Sequence, residues 1–254
     1  STAGIAPFGV LPDQDAGRPV LKVATGEVTT TPAATAANST IRAVSDVTIA
    51  ADGTAQGSGK VTAAGALGVN VRAMIKSIPT GQDKLLINGL FGPTAEGTLD
   101  RGDPFNLTEP YVISATYRVP GAINVPGPGA VPFTLAFKPF SFTEIVGASL
   151  PASRNSDYFC PSLTAEEVTT FRFPQGFKLL SIPDSQVLAT DGVRLQVDLE
   201  RKDARTVTQT YTLKIEHPRA TCTPEYYAGV RASLAKMANA LHEQIIYKGP
   251  KAAQ

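Results

Sequence analysis

The sequence predicts an α+β fold that is mostly β: antiparallel sheets, or a β-sandwich, with a helical insertion and a long C-terminal helix. Three observations carry this. Apolar and polar residues alternate over several stretches, the period of a strand with one dry face. Gly (22) and Pro (20) punctuate the 254 residues, yet 43% of the chain is hydrophobic, so it is rich in turns without lacking a core. Only the middle and the end of the chain switch to helical spacing.

Composition divides the chain into a lead-in over residues 1–37, a hairpin, helical pair and strands over 38–165, and an antiparallel unit with the closing helix over 166–254. In the lead-in, Pro7, Gly9, Pro12, Gly17 and Pro19 bar a helix. Val20 to Val23 reads as a short strand, and Thr29 to Ala37 as a linker. Ile41, Val47 and Ile49 then share a parity, Asp52-Gly53 suits a two-residue type I′ turn, and Gln56 to Thr62 returns. Gly57 and Gly59 imply a bulge or a backbone lying close against the return strand.

Leu67, Val71, Met74, Ile75 and Ile78 fall at helical spacing before Pro79, and a second short helix is expected from Asp83 to Leu90, closed by Gly92-Pro93. Tyr111 to Val119 is a strand by composition. Residues 120–132 carry four Pro and three Gly and read as a loop outside any sheet, after which Phe133 to Phe137 resumes a strand. From Glu167 on, Thr169, Phe171 and Phe173, then Val193, Leu195, Val197 and Leu199, then Val207, Tyr211, Leu213 and Ile215 mark three half-buried strands. Thr223 as N-cap, Pro224 at the first helical position and Glu225 open the last helix. Its stripe runs Tyr226, Val230, Leu234, Met237, Leu241 and Ile245, up to Gly249-Pro250.

Chemistry is sparse. With 23 Lys+Arg against 22 Asp+Glu, the chain has no global field to hold a polyanion, so nucleic acid is excluded as a partner. No apolar run reaches the ~18 residues of a membrane span, and Ser1-Thr2-Ala3-Gly4-Ile5 lacks the features of an export signal. The two cysteines, Cys160 and Cys222, are open to three readings: buried thiols, a disulfide, or half a metal site. Both sit at element boundaries where loops can meet. That favours a disulfide, which implies an oxidising compartment. A zinc site would need His217 and His242 beside them, and no C-x-x-C or H-x-x-x-H spacing supports it, so no metal and no cofactor is expected. A Cys160 nucleophile paired with His217 or His242 is compositionally possible, but both histidines stand in ordinary places. The glycines match no phosphate-binding loop. Glu166 and Glu167 point apart on an extended segment and read as solvated. Asn38-Ser39-Thr40 and Asn106-Leu107-Thr108 are glycosylation sequons, meaningful only in a eukaryotic secretory setting. Ser1 as an N-terminal nucleophile would have to open a buried strand, and Gly4, Pro7, Gly9 and Pro12 make that segment a loop.

The lead-in carries a resemblance. Ser1 to Pro12, with Phe8-Gly9-Val10-Leu11-Pro12, followed by Gly17-Arg18-Pro19-Val20-Leu21, resembles the segment just after the catalytic core of bacterial transglutaminase-like proteins that carry an N-terminal β-rich domain of unknown function. The Asp52-Gly53 hairpin, the helix through Arg72, Ser181-Ile182-Pro183 and Pro224-Glu225-Tyr226-Tyr227 are similar as well. In that family a papain-like core uses a Cys-His-Asp triad, and Ser1-Thr2 match the residues directly after its Asp. The resemblance thus implies that the triad lies upstream of Ser1 and that this chain is a non-catalytic, β-rich accessory region. It would form a wall of the cleft or dock a substrate or partner. It implies a periplasmic or secreted protein whose partner is the upstream core, in the same protein or as a cleaved chain. Phe8, Leu11, Pro12 and Arg18 are the expected contacts with that core, since they leave the triad's last strand. The alternative is one chain of a processed hydrolase whose catalytic residues lie on another chain or at Ser1. A carbohydrate-binding sandwich ranks last, for want of Trp.

Overall fold

A computed structural model describes residues 4–108, 110–137, 146 and 150–250. After a 3-10 turn at Asp13–Asp15 come β1 (Pro19–Lys22) and β2 (Glu27–Thr30). β3 (Thr40–Ile49), β4 (Ala55–Ala64), α1 (Gly65–Ser77), α2 (Asp83–Phe91), β5 (Glu96–Asp100), β6 (Tyr111–Val119) and β7 (Pro128–Pro132) follow. The second stretch holds β8 (Tyr158–Phe159), β9 (Leu163–Arg172), β10 (Lys178–Ser181), β11 (Gln186–Thr190), β12 (Val193–Arg201), β13 (Thr206–Ile215) and β14 (Thr221–Cys222). It closes with α3 (Pro224–Ala240) and β15 (Gln244–Lys248).

Eight strands form one sheet in the order β11-β12-β13-β9-β3-β4-β6-β5. Neighbours run antiparallel except at the centre, where β3 and β9 are parallel. The strands on either side of residue 165 therefore share one sheet. Alternation decides its faces. On β3, Ile41, Ala43, Val47 and Ile49 point into the core while Arg42, Asp46 and Thr48 face out, and β9, β12 and β13 repeat this. The outer face is polar, laced by Arg42–Glu166 (2.6 Å) and Arg172–Asp46 (2.6 Å) across the parallel joint. Such exposed pairs align strands more than they stabilise them.

The inner face packs on α1, on α2 and on a second, three-stranded sheet of order β10-β15-β7, which supplies the two-layered character the alternation predicts. Phe133 meets Phe171 (5.8 Å) and the edge of Tyr211 (6.1 Å), and Tyr247 meets Phe173 (6.4 Å) and Phe177 (5.4 Å). The chain can turn from β4 into α1 because residue 65 is glycine: its φ is +63°, and a Cβ there would lie 1.8 Å from the Asn38 carbonyl oxygen.

Several local expectations give way to tertiary demands. The β3–β4 connection is not a two-residue type I′ turn. Residues 50–54 form the loop: Ala50 N–H donates to Thr54 O (2.8 Å), Gly53 N–H to Ala50 O (3.1 Å), and Gly53 has a positive φ. Asp52 instead accepts from Thr54 N–H (2.9 Å), an Asx turn. Gly57 and Gly59 mark no bulge, for the register of β4 is unbroken on both sides. What lies close is side chain: a Cβ at residue 57 would stand 2.2 Å from the Tyr117 ring, and one at 59 would stand 2.3 Å from Phe137 Cβ.

The Pro-rich segment does enter a sheet. β7 is the edge of the small sheet, paired with β15, where a missing N–H on the open side costs nothing. Residues 133–135 form a 3-10 turn rather than a strand, capped in effect by Tyr117 Oη donating to Leu135 O (2.6 Å). The last helix stops at Ala240, and Ile245 belongs to β15 beside buried Tyr247, because pairing between β10 and β7 outweighs the helical stripe. Within α3 it is Tyr227, not Tyr226, that turns into the core. Glu167, read from sequence as solvated, is buried, since it shares the parity of Leu163, Ala165 and Phe171; Glu166 alone faces solvent. Burial first, and the nearby Glu167 second, push the Tyr211 hydroxyl well above its ordinary pKa.

Candidate functional site

One corner of the molecule gathers both cysteines and one of the two histidines. Strands β8 and β14 pair there, Cys222 opposite Tyr158 and Thr221 opposite Phe159, and Cys160 N–H donates to Ala220 O (2.9 Å). Cys160 and Cys222 form a buried disulfide with Cα atoms 5.7 Å apart, closing 62 residues of sequence. The disulfide expected from sequence is therefore present, and neither sulfur is available as a nucleophile while it stands.

His217 comes to the same place from the end of β13. Its backbone is clipped by Ser162: His217 N–H donates to Ser162 Oγ (2.9 Å), and that hydroxyl donates to His217 O (3.3 Å). Its ring meets the edge of Tyr226 at 5.2 Å, and Tyr226 Oη donates to Asp191 O (2.6 Å). The next residue, Gly192, must be glycine, for a Cβ there would lie 2.7 Å from His217 Nδ1. Burial holds the imidazole below its ordinary pKa, only partly offset by Asp191 and Glu216, while burial raises Tyr226 to about 12. The sulfurs of Cys160 and Cys222 and a ring nitrogen of His217 all lie within 4.8 Å of one another. His242, the other histidine, sits past the far end of α3, about 25 Å along the helix axis from Cys222. Behind the disulfide, Arg154 stacks over Tyr158 (4.1 Å) and Tyr227 (4.9 Å).

The lead-in runs beside this corner. Gly17 packs so close that a Cβ would meet Ala220 Cβ at 2.8 Å, and Ala36 N–H donates to Glu216 Oε1 (3.4 Å). Asn70 of α1 donates to Asp13 Oδ2 (2.8 Å), and Ile5, Pro12 and Ala16 are buried. From this anchored base the β1–β2 hairpin projects. Leu21 and Val28 face each other across it, 60% and 71% exposed, and Val23 at its turn is 91% exposed. Of the four residues expected at a core contact, Phe8 is fully exposed and Arg18 exposed with Nε donating to Gln14 O (3.0 Å). Leu11 is half-buried and Pro12 buried in this chain's own body. Ser1 lies outside the described residues.

Sequence spacing missed the Cys–His gathering, because residues 160, 217 and 222 come from three separate segments. It also missed Ser162, Gly192 and Arg154, for which only Gly192, in an Asp-Gly pair before a strand, left a signal. A polar groove of about 570 Å³ crosses the outer face of the large sheet, lined by Asp46, Gln56, Ser58, Glu96, Thr116 and Arg118. No described helix is long and apolar enough to cross a membrane.

No family model and no curated protein matches the chain. Among solved structures, it is similar over 48% of its length to a candidate protease from Parabacteroides distasonis, at 15% identity and a TM-score of 0.40. The chain covers 23% of that structure, and a likeness this distant assigns no activity.

Proposed function

We propose that this chain is a non-catalytic docking module: the β-rich accessory region of a transglutaminase-like or cysteine-protease-like protein of the periplasm or the secreted compartment, held against its catalytic core by the lead-in arm. The observation that carries this reading is the arm's exposed apolar surface. Leu21 and Val28 on the two-stranded ribbon, Val23 at its turn and Phe8 in the turn that precedes it stand in water, and an isolated ribbon of that size is marginally stable without a surface to lie on. The resemblance of residues 1–21 to the segment after a papain-like core supports that core, carrying Cys, His and Asp, as the surface. The disulfide supports an oxidising compartment. In this arrangement the core performs the chemistry, while Phe8, Leu21 and Val28 supply apolar contact and Arg18 a forked donor.

The test is to express the gene's whole product in its own host with a photo-crosslinking residue replacing Leu21, and to map the crosslinks by mass spectrometry. Crosslinks from residue 21 to a papain-like Cys–His–Asp domain are the expected result. Crosslinks no more abundant than from a control position on the outer sheet face, such as Gln196, overturn the proposal.

A further inference from the structure

We propose that, once its disulfide is reduced, the corner formed by Cys160, Cys222 and His217 is a three-ligand site for a single zinc ion, so that the pair acts as a redox-controlled metal switch. Two thiolates and one imidazole are the donor set of catalytic-type zinc sites, which leave a fourth position to water. Tetrahedral bonds of about 2.3 Å to sulfur and about 2.0 Å to nitrogen put neighbouring donors roughly 3.5–3.8 Å apart. The three donor atoms here already lie within 4.8 Å of one another. Breaking the disulfide lets the sulfurs separate to about that spacing, by side-chain rotation over backbones 5.7 Å apart.

The donors are also held before any metal arrives. β8–β14 pairing fixes Cys222, the Ala220 carbonyl fixes the Cys160 backbone, and the Ser162 clip fixes His217. Gly192 and the Tyr226 ring hold the imidazole from two sides. Softness of the thiolates selects zinc over calcium or magnesium.

The redox step balances with a dithiol as reductant. The dithiol transfers two electrons and two protons to the Cys160–Cys222 bond, leaving two protein thiols and its own disulfide. Zinc then displaces the two thiol protons. An oxidised dithiol partner takes the electrons back, and the re-formed disulfide releases the metal.

The experiment uses the full chain, reduced with a dithiol that is then removed under nitrogen. Zinc is titrated in competition with a chromogenic chelator, cobalt is followed by its thiolate charge-transfer band, and strand content is followed by far-ultraviolet circular dichroism. The reduced chain is expected to bind one equivalent with native strand content, the oxidised chain none. Reduced His217→Gln, whose disulfide still forms on oxidation, is expected to bind about tenfold or more weakly while keeping a thiolate–cobalt band. No stoichiometric binding by the reduced chain, binding without native strand content, or equal affinity in His217→Gln each overturns the proposal.

Discussion

The β1–β2 and β3–β4 hairpins are alike in local chemistry and opposite in fate. Each is an antiparallel pair with apolar residues in its strands and a positive-φ glycine at its turn, Gly26 in one and Gly53 in the other. In β3–β4 the apolar parity lies under α1 and the neighbouring aromatic rings. In β1–β2 the cross-strand pair Leu21–Val28 stays in water. Local pattern places side chains on a face; only tertiary structure decides whether the face is covered. An uncovered apolar pair on a projecting ribbon marks an interaction surface.

That contrast is open to direct attack. Ile49→Ala, in the covered hairpin, should cost about 2–5 kcal/mol of stability in urea unfolding; a loss under about 1 kcal/mol would mean that the covered face matters little. Replacing Cys160 and Cys222 together by alanine should cost about 2–4 kcal/mol, since 62 residues of unfolded chain are then released. Because Gly17 is seated on Ala220, hydrogen exchange in β1–β2 should accelerate in that double variant, and unchanged protection would show that the arm is anchored elsewhere. Thr223→Ala removes the side chain that accepts from Tyr226 N–H (3.3 Å) and should lower the melting midpoint by the equivalent of about 1 kcal/mol. Leu21→Ala, in the uncovered hairpin, should change the stability of the isolated chain by less than about 0.5 kcal/mol while weakening the core contact proposed above. Equal losses from Leu21→Ala and Ile49→Ala would erase the distinction.

The strands were legible wherever burial follows parity, as at Val193–Leu195–Val197 and Val207–Tyr211–Leu213. The N-terminus of α3 was legible because Thr223, Pro224 and Glu225 each satisfy a local demand of a helix start. Ile245 fits both a helical step from Leu241 and a strand alternation with Tyr247, and only the presence of β10 and β7 decides between them. Glu167 illustrates the converse: its charge argues for water, but its place between Ala165 and Phe171 puts it inside. Of the candidate site, the disulfide was legible from two cysteines at element boundaries. The approach of His217 was not, because motif spacing reports neighbours along the chain and these three residues meet through the β8–β14 pairing and the end of β13. The exposure of Phe8 and Leu21 is likewise a property of the whole surface rather than of the lead-in's residues.

The parallel joint at the centre of the large sheet bears on how the protein is made. Thr40 of β3 pairs with Thr164 of β9, so one side of β3 waits for a partner synthesised about 120 residues later, roughly ten seconds at ordinary translation rates. During that interval β3–β6 can already pair among themselves, and β3 presents an open edge with a dry face, the kind of template that recruits other nascent chains. Production should therefore be sensitive to elongation speed and to chaperones that shield strand edges, with the demand falling once residue 172 has left the ribosome.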